Sequence, residues 1–325
     1  MQTEIFNQKL KTVMKILYSL LLIITLSLTQ FLPTAHSQID GAELFGYWDL
    51  EFDINGETQP GWLHAKRSGT RTIVGEIVGT SGSTRPISQI SYNPNSEMFS
   101  FSIPPQWESV DSNLTFTFSL QENKIQGVME MGNENYTFTG VSAPKLVRDT
   151  PPIWQTPVNL LDDNMSKWII PKNNQFVMEN GILVNKAMGG NLITTELFDD
   201  FKLHVEFRYP ERSNSGIYLR GRYEVQIEDN TSQIVSKVGI GGIYGFIEPS
   251  VFAAKSAGEW QTYDITLVGR MITVVLNGVE VISNRSIPGI TGGALDSREG
   301  EPGPIMIQGD HGPVEFRNIT ITPAM

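Results

Sequence analysis

Glu206, Arg208, Arg220 and Glu224 stand close together between positions 201 and 229, with Gln226 beside them. A carboxylate gives or takes a proton, a guanidinium holds a developing oxyanion, and an amide fixes a hydroxyl. A second constellation lies near the C-terminus, where Gln308, Asp310 and His311 follow one another in Gly-Pro-Ile-Met-Ile-Gln-Gly-Asp-His-Gly. His311 is the favoured proton-transfer residue, because imidazole titrates near neutral pH. Each group also has a plainer reading. Asp310-His311-Gly312 can be only a turn, and the first run can be only the wet face of an amphipathic sheet.

Alternation says what must position these groups. Phe201, Leu203, Val205 and Phe207 fall on one face of a strand, and Lys202, His204, Glu206 and Arg208 fall on the other. After a polar turn at 210–216, Ile217 and Leu219 oppose Tyr218 and Arg220. Val225 and Ile227 then oppose Arg222, Glu224, Gln226 and Glu228. If these strands pair as neighbours, one sheet face collects Glu206, Arg208, Arg220, Glu224 and Gln226, a surface suited to a sugar. On the segment before His311, the same alternation turns Ile305 and Ile307 to the core. Met306, Gln308 and Asp310 then face the site.

The whole chain is read as all-β. Thirty Gly and eighteen Pro punctuate short alternating runs, and 40% hydrophobic content over 325 residues is enough for two cores. The formal net charge is -11, so nucleic acid and anionic membrane surfaces are poor partners. Cysteine is absent, which excludes disulfides, thiolate catalysis and cysteine-ligated zinc. Residues 1–37 read as a secretory signal: Lys9, Lys11 and Lys15, an apolar run over 16–28, and Ala35-His36-Ser37 as a small-x-small cleavage pattern. Met14 is an alternative start that gives a more usual signal length. The expected location is secreted, periplasmic or extracellular in a bacterium, with no stable membrane insertion once the signal is removed.

Residues 41–141 read as a small antiparallel barrel or sandwich, with strands every ten to twelve residues. Two pieces, Pro60-Gly61-Trp62-Leu63-His64 and Ile103-Pro104-Pro105-Gln106-Trp107-Glu108, read as extended backbone outside the ladder. Trp62 and Trp107 are the right residues to stack on a sugar ring, and equally the right size to plug the barrel or a seam. Residues 142–157, with four prolines, read as a semi-rigid connector. Residues 158–325 carry roughly a dozen strand signals, including hairpins at Asn180-Gly181 and Asn277-Gly278, and should form a two-sheet jelly roll. The segments 239–242 and 290–302 read as loops over the site.

The series Glu206-Phe207-Arg208, Asn214-Ser215-Gly216-Ile217-Tyr218-Leu219-Arg220-Gly221, Tyr223-Glu224-Val225-Gln226-Ile227, Ile243-Tyr244-Gly245, Gly258-Glu259-Trp260-Gln261, Leu276-Asn277-Gly278, Thr291-Gly292-Gly293 and the segment from Gly303 to Gly312 resembles the 3-keto-disaccharide hydrolase family. The resemblance runs in order across nearly all of 152–325. Lys167 before Trp168 departs from the family's usual Gly-Trp. The resemblance implies a concanavalin A-like β-sandwich acting on glycosides already oxidised to a ketone at C3. That ketone acidifies the C2 hydrogen, so a base can start an elimination that expels the C1 substituent, and water then adds back. The expected catalytic set is His311, Glu206, Glu224, Arg208 and Arg220. The expected substrate-binding set is Gln226, Gln308, Asp310, Tyr218, Tyr244 and Asn214.

A conventional retaining or inverting glycosidase acting on a glucan is the first rival. Glu224 and Glu228 lie ~13 Å apart along one strand, beyond the roughly 5–9.5 Å that paired carboxylates need. A Glu206–Glu224 pair across strands would restore that spacing. The second rival is a lectin-like carbohydrate-binding protein without turnover, in which Tyr218, Tyr223, Tyr244 and Trp260 serve as stacking aromatics. No paired-histidine zinc spacing occurs, so no cofactor is expected, with a divalent cation through Asp229, Glu228 or Asp310 and His311 as the exception.

Overall fold

A computed structural model describes residues 40–325, and the expected signal segment lies outside them. The described chain is almost wholly β. Strands β1 (Gly46–Ile54), β2 (Glu57–Ser68), β3 (Thr72–Val78), β4 (Arg85–Asn93), β5 (Met98–Ile103), β6 (Leu114–Gln121), β7 (Lys124–Met131) and β8 (Glu134–Ser142) close into an antiparallel barrel in which β8 returns to β1. Alternate inward residues fill it. Phe52, Phe99, Phe101, Phe116, Phe118 and Phe138 make a continuous aromatic core with ring centroids 4.6–6.3 Å apart.

One expectation for this region is corrected. Pro60 lies within β2, opposite Glu51, rather than outside the ladder. Pairing of β2 with β3 begins only at Trp62, so Pro60 has a partner strand on one side and its missing N–H leaves no gap on the other. Strand β4 is an element that alternation does not announce, because its burial runs irregularly through a register shift against β3. Trp62 is fully buried where the barrel meets the following domain, edge-on to Phe246 at 5.1 Å. It fills the seam.

The remaining strands are β9 (Val158–Asn159), β10 (Trp168–Ile169), β11 (Phe176–Glu179), β12 (Ile182–Asn185), β13 (Leu192–Thr194), β14 (Phe201–Arg208), β15 (Asn214–Leu219), β16 (Tyr223–Glu228), β17 (Gln261–Val268), β18 (Met271–Leu276), β19 (Val279–Ser286), β20 (Met306–Ile307) and β21 (Val314–Pro323). They form a five-stranded sheet in the order β10-β13-β20-β15-β16 and a larger sheet in the order β11-β12-β21-β14-β17-β18-β19, with β9 on β21. The core lies between them, where Ile217, Leu219, Val225 and Ile227 of the small sheet join Phe201, Leu203, Val205, Phe207, Ile265 and Phe316 of the large one. At the hairpins Asn55-Gly56, Asn180-Gly181 and Asn277-Gly278 both central residues have positive φ, between 53° and 86°, which matches the twist of the flanking strands.

The connector does not hang free. Arg148 reaches back to Asp200 at 2.7 and 3.0 Å and to Asp199 at 2.5 Å. Arg270 of the sandwich donates to the Pro144 carbonyl, and Trp154 bridges to Ala324. Arg270 also holds the buried Glu299 through two hydrogen bonds of 2.6 and 2.5 Å. Beside that pair, Asp49 of β1 is pushed up to about 9, first by burial and then by hydrogen bonding to Glu299 and its charge. Barrel and sandwich thus share a buried cluster of Asp49, Glu299 and Arg270.

Candidate active site

The hairpin β15–β16 turns its odd residues to the core and its even residues outward, as alternation requires. Register places Gly216 opposite Gln226 and Tyr218 opposite Glu224, and β20 brings Met306 beside Tyr218. Gln308 follows, its backbone N–H bonded to the Gly216 carbonyl. Asn214, Tyr218, Glu224, Gln226, Tyr244, Gln308 and His311 therefore line one cavity of about 420 Å³ on the outer face of the small sheet. Gly292 and Gly293 form its rim, and Thr80, Ser81, Gly82 and Trp107 of the barrel complete it.

Glu224 is the electrostatic centre. Its carboxyl lies against Gly216, where a Cβ would overlap Oε1 and stand 2.8 Å from Cγ and Cδ. Only glycine leaves that room. Tyr218 donates its hydroxyl to Oε2 at 2.9 Å, with the Gly292 carbonyl as an alternative acceptor at the same distance. Burial pushes the Glu224 pKa up to about 8, against partial relief from Tyr218 and His311, so the group is predominantly a carboxylic acid at neutral pH. Facing it, His311 Nδ1 is 2.7 Å from Asp310 Oδ1. That bond and the Asp310 charge raise the imidazole above 6.5, and Asp310 is held low in turn. Asp310 orients the ring and leaves Nε2 for a ligand.

Two amides are unfinished. Asn214 Oδ1 and Gln308 Oε1 are buried at the cavity yet accept no hydrogen bond from the described residues. Buried polar atoms of this kind call for a partner, here one that the cavity would receive.

Three expected residues lie elsewhere. Glu206 and Arg208 belong to β14 in the large sheet, whose inward residues share the core with those of β15 and β16. Their side chains therefore point out of the opposite side of the sandwich. Glu206 pairs with Arg317 and Asn318, while Arg208 pairs with Glu315 and lies over Trp260. A Glu206–Glu224 pair is ruled out by the same placement. Arg220 leaves the alternation because its φ is 53°, in the turn. Its guanidinium is fully buried against Asp199, the Gly269 carbonyl and the Tyr223 ring. Tyr223 is itself buried. Consecutive strands β14 and β15 enter different sheets, which a period of two cannot reveal.

The segment 239–242 is also corrected. It runs alongside β16, with Gln226 and the Gly241–Gly242 backbone exchanging hydrogen bonds, rather than lying over the cavity. The stacking surface of Trp107 is legible in the sequence, but nothing there connects it to residues more than a hundred positions away. Among the described residues no three His, Asp or Glu side chains are grouped as a metal site.

Residues 156–322 match the 3-keto-alpha-glucoside-1,2-lyase-like domain, just over half of the chain, and the chain belongs to that family. It is a carbohydrate-active hydrolase. Among solved structures it is similar to a protein of Parabacteroides distasonis named as a glycosyl hydrolase, at 28% identity over 54% of this chain and 92% of that one, with a TM-score of 0.45. A second P. distasonis structure of similar name is 22% identical over 51% and 98%, with a TM-score of 0.42. A carbohydrate binding module from Bacillus subtilis is 11% identical over 53% and 99%, with a TM-score of 0.29. No curated protein matches the chain.

Proposed function

We propose that this protein cleaves the glycosidic bond of 3-keto-glycosides, 3-keto-disaccharides among them, by elimination and rehydration in the cavity over β15, β16 and β20. The observation that carries the reading is one cavity holding a buried, neutral Glu224 and an Asp310-oriented His311. Such a divergence of roles, one acid kept protonated and one base kept oriented, is what acid–base chemistry at neutral pH needs.

In this reading neutral His311 removes the proton from C2, and the C2–H electrons form the enolate with the C3 carbonyl. Amide N–H groups of Asn214, Gln226 and Gln308 and the Tyr244 hydroxyl take over the oxyanion role first expected of Arg208 and Arg220. The enolate then re-forms the ketone, C1=C2 forms, and the C1–O bond breaks. Its electron pair leaves with the departing oxygen, which Glu224 protonates. Water adds at C1 of the enone and a proton returns to C2, giving the free 3-keto sugar. No resident cofactor enters this scheme. The reaction belongs in the bacterial periplasm or outside the cell, in keeping with residues 1–37.

The test compares release from a chromogenic 3-keto-glucoside with release from the unoxidised glucoside, with and without chelator, on wild type and His311→Ala. Release from the keto substrate alone, lost in His311→Ala, is the expected result. Release from both substrates would mean ordinary glycosidase chemistry, and loss on chelation would add a metal.

A further inference from the structure

One wall of the cavity does not come from the sandwich. Trp107 is 70% exposed, yet its loop is tied down by side-chain hydrogen bonds and an ion pair. Glu108 turns its carboxylate back to accept the N–H groups of Gln106 at 2.7 Å and Trp107 at 3.1 Å. Arg85 closes the clamp at 2.9 Å, with only 8% and 5% of the two side chains exposed. Although burial works against it, these N–H groups and Arg85 hold the Glu108 carboxyl below its usual range. Gln106 exchanges two hydrogen bonds with Ser83, so the loop carrying Trp107 and the loop carrying Gly82 move as one piece. That piece abuts the sandwich rim, where a Cβ at Gly292 would overlap the Gly82 carbonyl oxygen and stand 2.9 Å from its carbon.

A large apolar side chain left in water on a braced loop, beside a cavity with unfinished amides, is built to receive a ring. Depth decides which ring. Glu224 is 3% exposed on the cavity floor and Trp107 is at its mouth. The sugar that reacts lies over Glu224 and His311, so a ring that reaches Trp107 is the one attached through C1.

We infer that Trp107 is the stacking platform for the leaving-group ring, and that the barrel thereby selects disaccharides over simple 3-keto-glucosides. The inference rests on the function proposed above and extends it to the departing half of the substrate.

The experiment measures binding by calorimetry to Glu224→Gln protein, in which turnover is expected to be about 10²–10⁴-fold slower, with and without Trp107→Phe or Trp107→Ala. The ligands are a 3-keto-disaccharide and methyl 3-keto-glucoside, and turnover is followed in parallel in the Glu224-containing proteins. The ratio of the two affinities should fall about 10-fold on Trp107→Ala and be largely kept by Trp107→Phe. An unchanged ratio overturns the inference, as does equal weakening for both ligands or absence of binding by either. A fall in the ratio without turnover by wild type would uphold the platform and refute the elimination chemistry.

Discussion

Replacing Glu224 by Gln should slow turnover sharply and stabilise the protein, with a pH signature that identifies the cause. The buried carboxyl holds its proton up to about pH 8, against an ordinary value of 4.5. The unfolded chain loses that proton near 4.5, so between 4.5 and 8 the folded state binds more protons than the unfolded one. Stability therefore falls as pH rises through this window, by up to about 1.4 kcal/mol per pH unit. At pH 7 the accumulated cost is about 3 kcal/mol, and at pH 5 it is under about 1 kcal/mol. The amide of the Glu224→Gln variant has no proton to lose, so the stability gap between variant and wild type should widen by about 2 kcal/mol from pH 5 to pH 7. Any constant offset from the amide's own hydrogen bonds drops out of that slope, and Asp49 contributes equally to both proteins. Paired thermal unfolding at pH 5, 6, 7 and 8 would show it as a Tm difference growing by several degrees. Parallel curves would mean that Glu224 ionises normally, and the acid assigned to the leaving group would have to be another residue. Turnover should fall about 10²–10⁴-fold in the same variant.

Turnover against pH should be bell-shaped, rising as His311 loses its proton above 6.5 and falling near pH 8 as Glu224 ionises; Asp310→Asn should move the rising limb to lower pH. Gly216→Ala puts a methyl group against the Glu224 carboxyl and should cost about 100-fold in kcat through misplacement alone, measured with the keto substrate. Arg270→Ala leaves Glu299 buried without its cation and should destabilise the protein by about 3–5 kcal/mol in denaturant titration. Glu206→Gln and Arg208→Ala, on the far side of the sandwich, should keep full turnover in the same assay.

Much of the architecture is written in short-range signals. Phe201–Arg208 and Val314–Pro323 alternate strictly over most of their length, and the three Asn-Gly turns demand the positive φ that such pairs adopt readily. Tyr218, Glu224, Gln226 and Gln308 share a face because period and register agree. What alternation lacks is any sign of which sheet a strand joins. Glu206 and Glu224 have similar patterns around them, and only the crossing from β14 to β15 sends one to each side. Arg220 escapes the pattern for a different reason, since two successive left-handed residues at the turn, Arg220 and Gly221, break the extended backbone on which alternation rests. Trp107 shows a third limit. Its partners come from the other end of the chain, and the clamp from Arg85 and Glu108 that fixes it has no local sequence pattern at all.

The pinned connector has a kinetic consequence. With Arg148 locked to Asp199 and Asp200, the Pro144 carbonyl held by Arg270 and Trp154 bridged to Ala324, the segment between the domains acts as a strut and supplies no hinge. Ligand exchange should then need no swing of the barrel against the sandwich. Bimolecular capture should track diffusion of the ligand.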